Sequence, residues 1–432
     1  MSHTPADPSL IDSRYAAWRL LATLGLVAFG NSGMYVVSVV LPAVQAEFGI
    51  GRGNASLPYT VMMVALGLGG MITGRLADRH GITKVLWIGA AAVCGGFVWA
   101  GLSQSIWTFA LAHGLLLGLI GSSSTFAPLM ADTALWWNRR RGIAVAICAS
   151  GNYVAGSFWP PVVQWGIDTW GWRPTYVAMG LVCGAGMVLL SLAMRQRPPL
   201  VTASTPSGAG APAPTSSVTG SVSGSDRPFG ISPARAQLLL CVAGLACCVA
   251  MSMPQVHIVA YCADLGFGAA QGAQMLSLML GCGIVSRLVS GMICDRIGGV
   301  RTLLLGSVLQ GTALLLFLPF DGLVSLYVVS ALFGLFQGGI VPSYAIIVRE
   351  HFRPQEAGAR VGAVIMATLV GMALGGWMSG WVFDLTGSYH AAFLNGIAWN
   401  LLNMAIAGWL VIRTRSQMTV LASTEAARPK TV

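Results

Sequence analysis

Charge is what this chain has least of. Only 9% of its 432 residues are Asp, Glu, Lys or Arg, against roughly 25% in a water-soluble domain. So little charge cannot cover a water-facing surface, and a soluble protein is excluded. No two of the nine cysteines form a CxxC pair, their number is odd, and all lie in or beside apolar runs; they read as small packing residues. No metal-ligand cluster, nucleophile–base pair or paired carboxylates fall within an apolar pocket. Glycine runs such as LGLGG at 66–70 lack the GK[ST] that follows a phosphate loop. An enzyme has no residues to stand on, and no cofactor or metal is expected.

What is present is apolar and long. Hydrophobic residues make up 55% of the chain, and runs long enough for a membrane helix, about 20 residues, recur twelve times. They fall at 17–41, 57–78, 84–104, 107–134, 141–166, 172–195, 235–262, 268–293, 301–319, 323–348, 358–383 and 390–413. Strand barrels are excluded, since their segments are about 10 residues of alternating polarity. Arg14 and Arg19 precede the first run as in a signal peptide. That run continues to Leu41, too long for a signal h-region, and is read as an uncleaved first span. With the N-terminus inside, 21 of the 24 basic residues fall in cytoplasmic segments, Arg52 and Arg173 in outer loops, and Arg287 in a span. Both termini are therefore expected in the cytoplasm. The net charge of +10 is a set of topological anchors in a lipid bilayer rather than a nucleic-acid patch.

The chain is also a duplication. GRLADRHGITK at 74–84 returns as GMICDRIGGVR at 291–301, an offset of 217 residues. Gly74, Asp78, Arg79, Gly81 and Lys84 match Gly291, Asp295, Arg296, Gly298 and Arg301. Gly142, Gly151 and Gly156 match Gly362, Gly371 and Gly376, and Asp168-x-x-Gly171 matches Asp384-x-x-Gly387. Between the copies, residues 201–226 are small, polar and rich in Pro and Gly, the composition of a flexible linker. The expected domains are 1–195, a six-helix bundle; 196–234, a cytoplasmic linker; and 235–432, a second six-helix bundle with a short tail. The fold class is all-α, a polytopic membrane protein of twelve transmembrane helices in two pseudo-symmetric halves.

The two Gly/Asp/Arg knots, with their spacing and position, resemble the signature loops of the major facilitator superfamily over essentially the whole chain. Arg287, RRRGIAVAICASGNYVAG in the fifth span and GWRPTY at 171–176 resemble the monocarboxylate porter group within it, including bacterial members. The resemblance implies a transporter of the bacterial inner membrane, functional as a monomer. It moves a small organic monoanion by alternating access between its halves, with protons or a counter-anion as the coupled species. Two departures bear on coupling. Animal monocarboxylate transporters place an Asp four residues before this Arg, where Gly283 stands, and a Lys in the first span, where none occurs. The related oxalate–formate exchangers add a Lys in the eleventh span, which has no charge at 361–381. One cation suits one carboxylate.

Arg287 lies eight residues before Asp295, about 12 Å inside the rim at 1.5 Å per residue. Its guanidinium presents a fork that matches a carboxylate. Asn31 and Tyr35 in the first span, Asn152 in the fifth, and Gln337 and Tyr344 in the tenth would complete a pocket for the anion. His257, after Pro254 in the seventh span, would titrate near neutrality and carry a proton. Asp264 is expected to be solvated in an outer loop. The ten knot residues would latch the inner face shut and yield as the halves rock. Three other readings remain open: exchange of one anion for another, efflux of amphiphiles through a Met- and Trp-rich cavity, and an anion sensor that transports nothing.

Overall fold

The computed structural model describes residues 8–196 and 228–426, with side chains to 415, so most of the expected linker lies outside the described residues. Among the described residues every regular element is helical. Twelve helical spans follow in order. In the first half they are α1 (Arg14–Phe48), α2 (Arg52–His80), α3 (Ile82–Leu102), α4 (Ile106–Leu135), α5 (Arg141–Trp170) and α6 (Trp172–Met194). In the second they are α7 (Pro233–Asp264), α8 (Ala269–Ile297), α9 (Gly299–Leu316), α10 (Leu323–His351), α11 (Pro354–Thr386) and α12 (Tyr389–Arg415). Eleven are long and apolar enough to cross a membrane. The remaining one, α5, has the length at 30 residues but interrupts its apolar run with Ser150, Asn152, Ser157 and the pair Pro160–Pro161. Those small and polar positions face the rest of the protein.

Bends occur where the sequence forbids a straight helix. In α1, Gly30 packs so tightly against α4 that a side chain there would strike Thr125, and Asn31 leaves helical geometry at φ −97°, ψ 9°. In α4, the eleven residues Ala112–Ser122 form wide turns of the π type. Such turns are rare and concentrate at functional sites. The helix then breaks at Phe126 ahead of Pro128.

The knots form matching turns. Gly81 between α2 and α3 has φ +85°, and Gly298 between α8 and α9 has φ +82°, a region where a side chain would be strained. Here sequence repeat and backbone repeat coincide. Gly74 and Gly291 face open space, and Asp78, Arg79, Asp295 and Arg296 are exposed, so the knots do not join the halves in this conformation.

One anchor residue is not where its run suggested. Arg19, expected among the basic residues before the first span, is 3% exposed inside the first half. It donates to Asp132 of α4 at 2.8 Å and to the carbonyls of Ala193 and Gln196 at 3.2 Å, and it lies 4.4 Å from the centre of the Trp136 ring. Burial is tolerated because both charges are paired and their remaining hydrogen-bonding positions filled.

The halves meet along seams. α2 lies against α11 and α5 against α8, with α1 against α7 between them. Glycines line both long seams: Gly67 meets Met366 and Leu369, Gly376 meets Tyr59, Gly281 meets Ser157 and Gly283 meets Tyr153. Small residues let backbones approach where lipid gives no hydrophobic drive for association.

Candidate functional site

Arg287 is held at the α5–α8 seam by its own helix. Its neighbour Ser286 is buried and accepts a hydrogen bond from the Gly338 amide of α10 at 3.0 Å. A side chain at Gly338 would come within 2.7 Å of the Gly283 carbonyl, so α8 and α10 are in backbone contact there. That contact fixes the register of α8 and directs Arg287 across the seam. Its Nη1 donates to the Ala149 carbonyl of α5 at 2.9 Å, and its guanidinium carbon lies 5.0 Å from the Tyr153 ring centre. The side chain is half-buried, neither sealed nor free in water.

Polar groups of the first half gather opposite it. Tyr35, beyond the bend of α1, lies within reach of Asn152, Tyr153 and Arg287. A Cβ built on Gly156 would sit 2.9 Å from the Tyr35 ring carbon that bears the hydroxyl, so this glycine gives Tyr35 its space. Tyr59 of α2 stands beside Tyr35 and Cys248. Among the described residues, the Asn152 Oδ1 and the Tyr59 hydroxyl of the first half and the Gln337 Nε2 of the second are buried and make no hydrogen bond. An unsatisfied buried polar atom costs about 1–3 kcal/mol, and such atoms are worth explaining. Orphaned donors and acceptors inside the protein are what a polar solute would fill.

The structure thus brings Arg287, Tyr35 and Asn152 together. Gln337, whose Oε1 accepts from Gln255 Nε2 at 2.9 Å, belongs to the second-half wall. Three expected residues are placed elsewhere. Asn31 ties its amide to the Val27 carbonyl at 3.1 Å and to Thr125 at 3.4 Å, joining α1 to α4. Tyr344 is fully buried and donates to Asn403 of α12 at 3.0 Å, within the second half. His257 is also fully buried, with Nε2 against the Gly376 carbonyl at 2.8 Å and Nδ1 against the Tyr389 hydroxyl at 3.2 Å. Sequence reasoning missed Tyr153 and Tyr59, although Tyr153 follows Asn152 directly and a tyrosine inside an apolar span was a readable signal.

Arg287 contrasts with three basic residues of the first half that have a counter-charge: Arg19 pairs with Asp132 at 2.8 Å, Arg52 with Asp264 at 2.5 Å and Arg173 with Glu47 at 2.8 Å. Two expectations change here. Arg52 is not a loop residue in water but the buried first residue of α2, and Asp264 is not merely solvated but bound to it. Among the described residues Arg287 makes no ion pair.

The sequence profile of the Major Facilitator Superfamily matches residues 21–324 and 238–432. The chain belongs to the major facilitator superfamily. It is 27% identical over 328 residues to monocarboxylate transporter 13 of Rattus norvegicus, a match covering 76% of this chain and 72% of that protein. It is 23% identical over 376 residues to the uncharacterized MFS-type transporter YcxA of Bacillus subtilis, covering 85% of this chain and 87% of that one. Among solved structures it resembles a bacterial homologue of the human lysosomal transporter Spinster in an inward-facing, occupied conformation, at a TM-score of 0.68 and 14% identity over 93% of this chain and 97% of that one. A peptide transporter in complex with alafosfalin has the same TM-score at 13% identity, over 90% and 94%. At those identities the likeness is one of fold. As a major facilitator protein the chain is a membrane transporter and not an enzyme.

Proposed function

We propose that this transporter moves a small organic monoanion, such as a short monocarboxylate, by alternating access, and that Arg287 holds the carboxylate. One observation supports this above the others: a half-buried guanidinium at the meeting of the halves, with a carbonyl and an aromatic face for neighbours and no carboxylate of its own. A charge so placed costs a few kcal/mol to hold in a membrane, and such residues mark substrate paths. A substrate carboxylate supplies the missing counter-charge. Tyr35 and Asn152 are near enough to orient it, with Tyr59 beside Tyr35, and the monocarboxylate transporters among its relatives support the substrate class. The knot end faces the cytoplasm of the cell, in keeping with its excess of Lys and Arg.

Coupling is to protons in this reading. One observation favours exchange of anions instead. A Cβ at Gly283 would lie 2.6 Å from the Tyr153 ring, so no acidic side chain fits one turn before Arg287.

The test is uptake of labelled lactate and pyruvate into proteoliposomes, with and without an inward proton gradient, for the parent and Arg287→Ala. Gradient-driven uptake that the mutant loses supports the proposal with its coupling. Uptake indifferent to the gradient but stimulated by preloaded anion replaces protons with exchange. Equal uptake by parent and mutant removes Arg287 from the site.

A further inference from the structure

The end of the molecule opposite the knots is closed by a clasp built on one residue. Arg52 opens α2, in the first half, and uses both its side chain and its backbone on the second half. Its Nη1 and Nη2 donate to the two oxygens of Asp264, the last residue of α7, each at 2.5 Å. Its own amide and that of Gly53 donate to the two oxygens of Asp384, near the end of α11, at 2.7 and 2.8 Å. The guanidinium lies 3.9 Å from the Phe383 ring centre and 5.0 Å from that of Tyr389 at the start of α12. Glycines admit this approach. A side chain on Gly380 would come within 2.7 Å of the Arg52 backbone, and one on Gly53 within 3.2 Å of the Trp381 amide. Three helices of one half thus close on one residue of the other, and a cleft of about 320 Å³ between α1 and α7 ends at Arg52 and Asp264.

The duplication shows that the clasp is an addition and not a by-product of the fold. Asp384 belongs to the repeated Asp-x-x-Gly pair, and its twin, Asp168, sits at the end of α5. Asp168 bonds within its own helix, accepting from Gln164 at 2.8 Å. The counterpart of Arg52 at the 217-residue offset is Ala269, which has neither charge nor donor to offer from its side chain. Two pseudo-equivalent seams therefore exist, and one of them is clasped. At the other end of the molecule, among the described residues, the exposed knots do not join the halves.

We propose that Arg52, Asp264 and Asp384 form the outer gate of this transporter: pairing holds the outward path shut while the knot end is open, and its rupture is required for the outward-open state. The gate acts on conformation whatever solute is carried, so its test needs no substrate. Spin labels on unnatural residues at Ala46 and His390, both exposed at the clasped end, report its opening, and labels at Asn138 and Gln355 report the knot end. In the parent without substrate, the 46–390 pair should give one narrow short distance. Arg52→Gln should lengthen it by at least about 5 Å, the rise of one helical turn, and shorten the 138–355 distance in the same sample. Asp264→Asn should do so partly, since the Asp384 bonds remain. The exchange Arg52→Asp with Asp264→Arg should return the short distance, which a merely misfolded variant cannot do. An unchanged 46–390 distance in both Arg52→Gln and the double variant Arg52→Gln, Asp384→Ala would overturn the proposal. So would separation at the clasped end without approach at the knot end, which is local fraying and not gating. Loss of anion uptake in Arg287→Ala with the distances unchanged would bear on the substrate site alone.

Discussion

Each of the two seams between the halves holds an arginine that reaches across it, and these arginines differ in every respect that matters. On the α2–α11 seam Arg52 sits at the end of the helices, is 8% exposed and is paired with a carboxylate. On the α5–α8 seam Arg287 sits within its helix, is half-buried, and has only a carbonyl and a ring. At the repeat offset their counterparts are Ala269 and Gly70, so neither charge was inherited twice. A paired cation across an interface resists separation and brings no unmet demand for an anion. An unpaired one holds the interface weakly and favours an incoming negative charge. The same residue type thus serves closure on one seam and recognition on the other, according to whether the protein provides the counter-ion.

The sharpest way to break this contrast is to remove the unpaired charge. Arg287→Ala should lower monocarboxylate uptake by roughly 30- to 150-fold, since a charge-assisted hydrogen bond is worth about 2–3 kcal/mol. Arg287→Lys should retain part of the activity, because an ammonium keeps the charge but not the planar fork. Concentration dependence of uptake separates the two, with the loss expected chiefly in apparent affinity. Giving the unpaired arginine a partner is the converse test. Gly283→Asp should abolish uptake and lower the yield of folded protein in detergent, because the Tyr153 ring occupies the space a side chain needs. The aromatic face offers a milder change. Tyr153→Leu should raise the apparent KM by about two- to fivefold, in line with the roughly 0.5–1 kcal/mol of an exposed cation–π contact, while Tyr153→Phe should stay near the parent. The smallest effect is expected away from both seams. Tyr344→Phe should leave uptake kinetics unchanged and cost only about 0.6 kcal/mol in a denaturation series, as for an average hydrogen bond between membrane helices.

How much of this was readable beforehand follows from the range of the interactions. Run length and the placement of Lys and Arg gave the twelve spans, and the twin knots gave the duplication, because each is a local property of consecutive residues. Arg287 stood out because a charge in an apolar run is conspicuous alone. The clasp was invisible for the opposite reason. Arg52 and Asp264 are 212 residues apart, each near the end of a run where a charge looks ordinary. Polar residues at mid-span posed another difficulty. Asn31, Tyr344 and His257 all lie within spans, but each points between helices of its own half. Helical depth is legible in a sequence, and the direction a side chain takes around the helix is less so when the helix is apolar on all sides.

The buried pair of Arg19 and Asp132 has a consequence for how the molecule is made. The partners are 113 residues apart, and the carbonyls that complete the arginine's coordination, Ala193 and Gln196, lie farther on. Synthesis delivers α1 ahead of its partners, so its guanidinium reaches the membrane before α4 exists and well before the end of α6. Until then the charge must stay at the headgroup level, where a long side chain can remain hydrated. The arginine of α1 thus gains its counter-charge with α4 and its last two acceptors only at the end of α6, so the packing of this half is completed where it started.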